Sequence, residues 1–239
     1  ATRHLPGAGR HQLRREDHHT DQPGQDEAGP RRQLEHELVR AELDRSGGQC
    51  DAQPAPGGTH VGGVVATAGG GGEGGVVDPA TGKPGRSIAV DDPYNMYFTP
   101  DGRSAIVVAE AFQRLDFRDP QTMALQSSLP VPDCAGVNHA DLSIDGRYAI
   151  FTCEFAGTLV KIDLVDRKVL GYLRLKKSRM PQDIRISPDG KLFYVADMKA
   201  DGLFIVDGDA FTEVGFVPTG IGAHGLYPSR DGRKLYVAN

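Results

Sequence analysis

The stretch MPQDIRISPDGKLFYVADMKADGLFIVD, residues 180–207, has the pattern of three short β-strands joined by turns. In its first part Ile184 and Ile186 alternate with polar residues, as in a strand with one buried face. Pro188-Asp189-Gly190 has turn chemistry, because proline presets φ at one turn position and glycine accepts a positive φ at another. The runs LFYVA and LFIV that follow are apolar and of strand length, and they predict the second and third strands.

This unit recurs along the chain. Asp-Gly pairs begin at positions 101, 145, 189 and 231, with separations of 44, 44 and 42 residues. A second marker, an aspartate that ends an apolar run, recurs with separations of 41, 44 and 44 residues at Asp78, Asp119, Asp163 and Asp207. A period of about 40 to 45 residues with four strands per repeat is typical of β-propeller blades. The sequence therefore predicts an all-β fold, a propeller arc of about four antiparallel, four-stranded blades.

The strands of successive repeats can be aligned on these markers. Residues 60–67 are a poor candidate for one further strand, because glycine weakens a strand. The predicted first strands are residues 96–99, 140–144, 184–187 and 226–229, and the predicted second strands are residues 105–109, 148–153, 192–196 and 235–238.

Residues 1–75 differ in composition from the repeats at 76–239. They lack Phe, Tyr, Trp, Ile, Met, Asn and Lys, and they hold about half of the 31 glycines. Such a segment buries too little apolar surface to offset its ordering entropy, so we predict a low-complexity, disordered region. It is either linker sequence or the product of a GC-rich gene read out of frame. Its histidines match no zinc pattern, and we expect no metal site there: His4, His11, His18, His19 and His36.

Charge and hydropathy exclude two classes of partner. The formal net charge of −5 over 239 residues argues against a nucleic-acid partner. No apolar run approaches the ~18 to 20 residues that a membrane span requires, so no span is expected.

Three segments resemble the YVTN-type β-propeller repeat: SPDGKLFYVAD (187–197), SRDGRKLYVAN (229–239) and VVDPATGK (76–83). The resemblance covers roughly residues 76–239. Similar propellers occur in haem d1 nitrite reductases, in the methylamine dehydrogenase heavy chain, in bacterial lactonases and in surface or periplasmic proteins. The resemblance implies an exported protein, periplasmic or at the cell surface, and a closed ring of seven or eight blades. With about four blades we expect a fragment that forms an incomplete ring and self-associates through its open blade edges.

Candidate site residues lie at the start of each first strand. The first strands of a propeller surround a central channel, so residues about 40 positions apart converge at one rim. The pairs at this position include Tyr94-Asn95, and the predicted binding residues are Asn138, His139, Gln182, Asp183 and His224. A His/Asp/His set is suited to a metal ion, a haem propionate or a polar ligand. Polar residues at channel rims often bind only ordered water and neighbouring backbone groups, which is the first alternative, and catalysis is the second.

Two of the three cysteines lie near the same rim. The hairpin that turns at Asp145-Gly146 brings Cys153 close to His139, with Cys134 on the incoming loop. A disulfide needs Cα atoms within about 7 Å, which this arrangement permits. Inert thiols and metal ligation together with His139 are the alternatives.

Two further sets of polar residues favour structural roles. Glu110, Glu154, Asp197 and Asn239 end the second strands, where a carboxylate either acts as a general base or, as we expect, binds the following loop. Lys176-Lys177-Ser178-Arg179 is expected to be a solvated basic loop.

From these features we predict a non-catalytic binding or scaffold module for a small ligand or a protein at the channel mouth. The alternative is an oxidoreductase or lactonase-type enzyme domain with a metal or haem at the rim. The sequence contains no G-x-S-x-G, Walker or H-E-x-x-H motif, and it leaves open whether the chain is an enzyme and which cofactor it takes.

Overall fold

A computed structural model of the chain describes residues 64–67, 73–78 and 80–239, which form strands, turns and bends. In these ranges no helix is long and apolar enough to cross a membrane. The strands, in chain order, are β1 (Val64–Thr67), β2 (Glu73–Val77), β3 (Pro84–Ala89), β4 (Pro93–Phe98), β5 (Ala105–Ala109), β6 (Arg114–Arg118), β7 (Leu125–Pro130), β8 (Val137–Leu142), β9 (Tyr148–Cys153), β10 (Thr158–Asp163), β11 (Lys168–Arg174), β12 (Pro181–Ile186), β13 (Leu192–Asp197), β14 (Gly202–Asp207), β15 (Thr212–Pro218), β16 (Leu226–Pro228) and β17 (Leu235–Val237).

The strands form a series of antiparallel sheets in which sequence neighbours pair. Strands β4–β7, β8–β11 and β12–β15 make three four-stranded blades, which we call the first, second and third blades. A three-stranded sheet, β1–β3, precedes them in sequence, and the hairpin β16–β17 follows. The first strands β4, β8, β12 and β16 lie next to one another in that order. The predicted all-β arc of four-stranded antiparallel blades is thus confirmed, and none of the sheets in the described ranges closes on itself.

Second strands were located better from the sequence than first strands. Strands β5 and β9 have the predicted bounds, whereas β4, β8 and β12 each begin three residues before the predicted start. In the first residues of all three strands, the pairing with the second strand shifts in register. The shifts lie between Pro93 and Asn95, between Val137 and Ala140, and between Pro181 and Ile184. A bulge breaks the alternation of apolar and polar residues, so the polar start of each first strand does not have a strand-like pattern.

The weak candidate at 60–67 supplies β1, which pairs with β2. Both strands begin before residue 76, where the sequence analysis places the start of the repeats. The other residues of the segment 1–75 lie outside the described ranges. Three predictions concern these residues and stay predictions: that the segment is disordered, that it is linker or out-of-frame sequence, and that its histidines form no metal site.

Each Asp-Gly turn is held by the same set of hydrogen bonds. In the third blade the Ser187 hydroxyl donates to Asp189 Oδ1 at 2.6 Å, and the backbone N–H of Leu192 donates to Ser187 Oγ at 2.9 Å. Gly190 has a φ of +76°, which favours glycine. The hydroxyl and a backbone N–H that donate to the aspartate favour the charged carboxylate, and they therefore lower its pKa in all four turns, to about 2 for Asp145. The corresponding Ser or Thr and Asp pairs are Thr99–Asp101, Ser143–Asp145 and Ser229–Asp231.

The apolar core lies between blades. Strand β9 is buried on both faces, and alternate residues belong to different cores. Phe151 packs in the cluster shared by the first and second blades, whereas Ile150 packs in the cluster shared by the second and third. The central strands therefore have continuous apolar runs, because each of their faces meets a neighbouring blade.

A buried lysine joins the second and third blades. Lys161, 8% exposed, donates from Nζ to the carbonyl of Gly208 at 2.6 Å, and the Nζ atom lies 3.9 Å from the centre of the Tyr148 ring. Gly208 packs so closely that a Cβ there would lie 2.6 Å from both Phe193 Cε2 and Tyr148 Oη. The turn therefore has no space for a side chain at this position.

We expect Gly208→Ala to lower the free energy of unfolding by about 1 to 3 kcal/mol, because two ring systems must move to accept one methyl group. Gly171→Ala is the control, since a Cβ at Gly171 meets no atom within 4 Å. That variant should stay within about 0.5 kcal/mol of the parent chain in urea unfolding. Equal losses in the two variants would contradict close packing at Gly208.

Candidate functional site

Side chains of the inner strands bridge successive blades at the channel. In each case an oxygen of one blade accepts a hydrogen bond from a backbone N–H of the next inner strand. The three bonds, each 2.8 Å long, are Ala140 N to Tyr97 Oη, Ile186 N to Asp141 Oδ2, and Leu226 N to Asp183 Oδ2. These bonds fix both the spacing of the inner strands and the orientation of the side chains that face the channel.

A pocket of about 340 Å³ lies on this channel side of β4, β8 and β12, and we call it the channel pocket. Its lining is polar apart from one alanine and the tyrosine ring. The lining residues are Asn95, Tyr97, His139, Ala140, Asp141 and Arg185.

Arg185 is held in place on one side only. Its Nη1 donates to Asp183 Oδ1 and to the carbonyl of Ile184, both at 2.6 Å. Within the described part of the chain, Nε and Nη2 make no hydrogen bond. The guanidinium is therefore oriented by Asp183 and keeps donors for a ligand.

His139 is a neutral imidazole at pH 7. Burial lowers its pKa below the ordinary value of 6.5, more than the neighbouring Asp183 carboxylate raises it. Its Nδ1 lies 3.9 Å from Asp183 Oδ1, longer than a hydrogen bond, and 3.1 Å from Asn95 Nδ2. Asn95 Oδ1 accepts from the N–H of Met96, which leaves its amide nitrogen to donate to His139 Nδ1. The imidazole proton then lies on Nε2, where it is a donor.

The other predicted binding residues lie elsewhere. Asn138 is fully buried and donates from Nδ2 to Glu154 Oε2 at 3.0 Å, inside its own blade. Gln182 is 3% exposed, and its buried Nε2 has no hydrogen-bond partner among the described residues. The side chain of His224 is exposed, and its charge lowers the pKa of His139. Of the five predicted residues, the structure thus brings His139 and Asp183 into direct proximity.

Sequence reasoning missed Tyr97, Asp141 and Arg185. They follow the recognised positions Asn95, His139 and Asp183 by two residues and repeat with the same spacing of 44 residues. Because side chains two residues apart share a face of a strand, the period together with strand alternation was the available signal.

Cys134 and Cys153 are joined by a disulfide, with a Cα–Cα distance of 4.8 Å. Both residues are buried, and Cys153 pairs with Val137 at the start of β8. The disulfide ties the loop that leads into the inner strand to β9. Sulfur atoms in a disulfide are not thiolate ligands, and the described ranges contain no group of three His, Cys, Asp or Glu side chains arranged around a metal position.

Of the carboxylates at the ends of the second strands, Asp197 binds the flanking loops, as expected. Asp197 is fully buried and accepts hydrogen bonds from five groups of the flanking loops. Its donors are Ser178 Oγ and the N–H groups of Arg179, Met180, Lys199 and Ala200. In the first blade, burial raises the pKa of Glu110, with a further contribution from the charge of Glu154.

No protein-family model and no curated protein sequence matches the chain. Its structure is similar to hydrazine synthase from Kuenenia stuttgartiensis, with a TM-score of 0.64 and 19% identity over 77% of this chain and 58% of that one. It is also similar to candidate 6-phosphogluconolactonases from Bacteroides fragilis (TM-score 0.65, 22% identity, 76% and 61% covered) and Bacteroides uniformis (0.64, 19%, 76% and 62%). The chain spans about three fifths of the length of these structures, and the likeness establishes the β-propeller-like fold.

The groups around His139 predict the direction in which its pKa shifts. We expect the His139 imidazole to titrate below 6.5 in an NMR pH titration, with its resonance assigned by His139→Gln. Asp183→Asn should lower the midpoint further because it removes a negative charge, and Arg185→Gln should raise it because it removes a positive one. Lys168→Gln, an exposed change outside the channel pocket, should leave the midpoint unchanged. A midpoint above 6.5 in the parent chain would contradict a neutral, buried imidazole.

Proposed function

We propose that the channel pocket binds a small polyhydroxylated molecule, such as a sugar or a sugar acid, without chemical change. The observation that carries this proposal is the guanidinium of Arg185, which is fixed through Nη1 by Asp183 and keeps Nε and Nη2 unbonded to described residues beside the neutral His139. A binding role needs such preoriented polar groups in a concave site.

The lining suits hydroxyl groups because it mixes donors and acceptors. Arg185 and the Nε2–H of His139 donate, the Asp141 carboxylate accepts, and Asn95 has both kinds of atom. The positive charge of Arg185 is balanced by its ion pair with Asp183 at 2.6 Å. A strongly charged ligand gains little from such a balanced site, whereas a polyol can use every donor and acceptor.

An aromatic side chain extends the site at the rim. The ring of Tyr94 meets the His139 imidazole edge to face, with 6.1 Å between centroids, and Tyr94 is 40% exposed. Aromatic rings offer an apolar surface to the C–H face of a sugar ring.

Calorimetry with D-glucose and D-gluconate tests this proposal. We expect saturable binding of at least one of them, weakened about three- to tenfold by Asn95→Ala through loss of a hydrogen bond and of the His139 contact. Gln121→Ala, which removes an exposed amide outside the pocket, is the matched control. Absence of saturable binding by both compounds, or equal weakening in the control, would refute the assignment.

A second candidate function, hydrolysis of a sugar lactone, is favoured by the neutral His139 next to the Arg185 guanidinium. The Nε2–H of His139 and the Arg185 guanidinium can donate to the lactone carbonyl oxygen as water attacks the carbonyl carbon, and the Asp141 carboxylate of the same pocket can accept the proton of that water. The ring C–O bond then breaks to give a hydroxy acid. Two structurally similar proteins carry the name 6-phosphogluconolactonase as candidates.

Proton release from D-glucono-1,5-lactone at pH 7 separates the two functions. Hydrolysis faster than in buffer, lost in His139→Gln and kept in Gln121→Ala, would establish the enzyme. A rate equal to that of buffer leaves binding alone as the role of the pocket.

A further inference from the structure

A second pocket, of about 560 Å³, lies outside the channel pocket and shares no residue with it. We call it the basic pocket. Its lining consists of four cationic side chains, one hydroxyl, one alanine and one aromatic ring. The lining residues are Lys176, Lys177, Ser178, Arg179, Lys199, Ala200 and Phe216.

One buried carboxylate binds both of the chain segments that line the basic pocket. Asp197 Oδ2 accepts from the Ser178 hydroxyl at 2.6 Å and from the N–H of Arg179 at 3.0 Å, while Oδ1 accepts from the N–H of Lys199 at 3.0 Å. The loop that precedes β12 and the turn that follows β13 are thereby held next to each other. Gly157 of the second blade supports the loop, since a Cβ there would lie 3.2 Å from the Ser178 carbonyl.

The four cations are not neutralised by ion pairs. None of their side chains lies within 4.0 Å of a carboxylate among the described residues. Asp197 is nearby, but its charge is shared by five hydrogen-bond donors. Glu213 accepts from the backbone N–H of Lys176 at 2.8 Å and partly offsets the positive charge. All four side chains are exposed, so their mutual repulsion is screened by water, but an anion bound between them would contact several cations at once.

The equivalent loops of the first and second blades lack this cluster of cations. The corresponding turns of the first and second blades, residues 110–113 and 154–157, contain no lysine or arginine. The corresponding incoming loops, residues 90–92 and 131–136, contain none either. The cations are therefore not a requirement of the blade architecture.

We propose that the basic pocket binds a soluble small molecule through a phosphate or diphosphate group. Phosphate oxygens carry up to two charges per group and accept several hydrogen bonds, which matches lysine, arginine and hydroxyl donors gathered in one cavity. The Phe216 ring supplies an apolar wall for the remainder of the ligand. A compact cluster on a chain of net charge −5 fits a small anion better than a nucleic acid, which needs an extended basic stripe.

Calorimetry with inorganic pyrophosphate on the 239-residue chain tests this proposal. We expect saturable binding that weakens as NaCl is raised from about 0.05 to 0.5 M. The triple variant Lys177→Gln/Arg179→Gln/Lys199→Gln should weaken binding tenfold or more, since about that factor is lost with even one charged hydrogen bond. Its control, Lys191→Gln/Arg230→Gln/Arg233→Gln, removes the same charge from exposed positions outside the basic pocket and should bind like the parent chain.

Several results would overturn the proposal. One is the absence of saturable pyrophosphate binding, and another is equal weakening in the two triple variants. Binding of a 12-base-pair DNA duplex that pyrophosphate does not displace would point to a polyanion surface instead. Because the proposal does not rest on the channel pocket, failure to bind D-glucose or D-gluconate leaves it unaffected.

Discussion

The hydrogen bond from an inner-strand N–H to a side chain of the preceding blade is the interaction on which the arrangement of the channel depends. It occurs at all three junctions between the inner strands β4, β8, β12 and β16. The inner strands of different blades are not paired with each other, so their facing N–H groups need other acceptors. Tyr97, Asp141 and Asp183 supply these acceptors. Removing one would leave a buried or half-buried donor unsatisfied, at a cost of about 1 to 3 kcal/mol.

The same interaction positions the channel pocket. Asp183 uses Oδ2 for the N–H of Leu226 and Oδ1 for Arg185, so one carboxylate serves both the fold and the site. Burial lowers the pKa of His139, and the charge of Arg185 opposes the effect of the Asp183 carboxylate, which raises it. The fixed guanidinium follows from this structural carboxylate, whereas the neutral imidazole follows from burial.

Carboxylates at repeated positions of the blades therefore have different roles, because the groups around them differ. In the Asp-Gly turns they accept short local hydrogen bonds and stay charged to low pH. At the end of β13, Asp197 accepts five bonds and fastens two basic segments together. At the end of β5, Glu110 lacks comparable donors, and burial raises its pKa. Equivalent positions in the repeat are therefore not equivalent in chemistry.

The sequence by itself determined the repeat, the strand order within a blade and the turns. These features depend on local chemistry: Asp-Gly pairs specify turns, and continuous apolar runs such as residues 148–153 specify strands buried on both faces. It also placed Asn95, His139 and Asp183 at corresponding positions of successive inner strands, because a fixed period brings such residues to one rim.

Only the tertiary structure decided what those residues do. At the bulge that begins β8, Asn138 lies in the blade and His139 lines the channel pocket. An alternation of apolar and polar residues does not encode a bulge. The choice between a disulfide, free thiols and metal ligation at Cys134 and Cys153 depended on a distance across two strands. The basic pocket depended on Asp197, whose five donors come from segments on either side of it in the chain. Contacts of this kind depend on how separate segments pack, and no local sequence pattern carries that information.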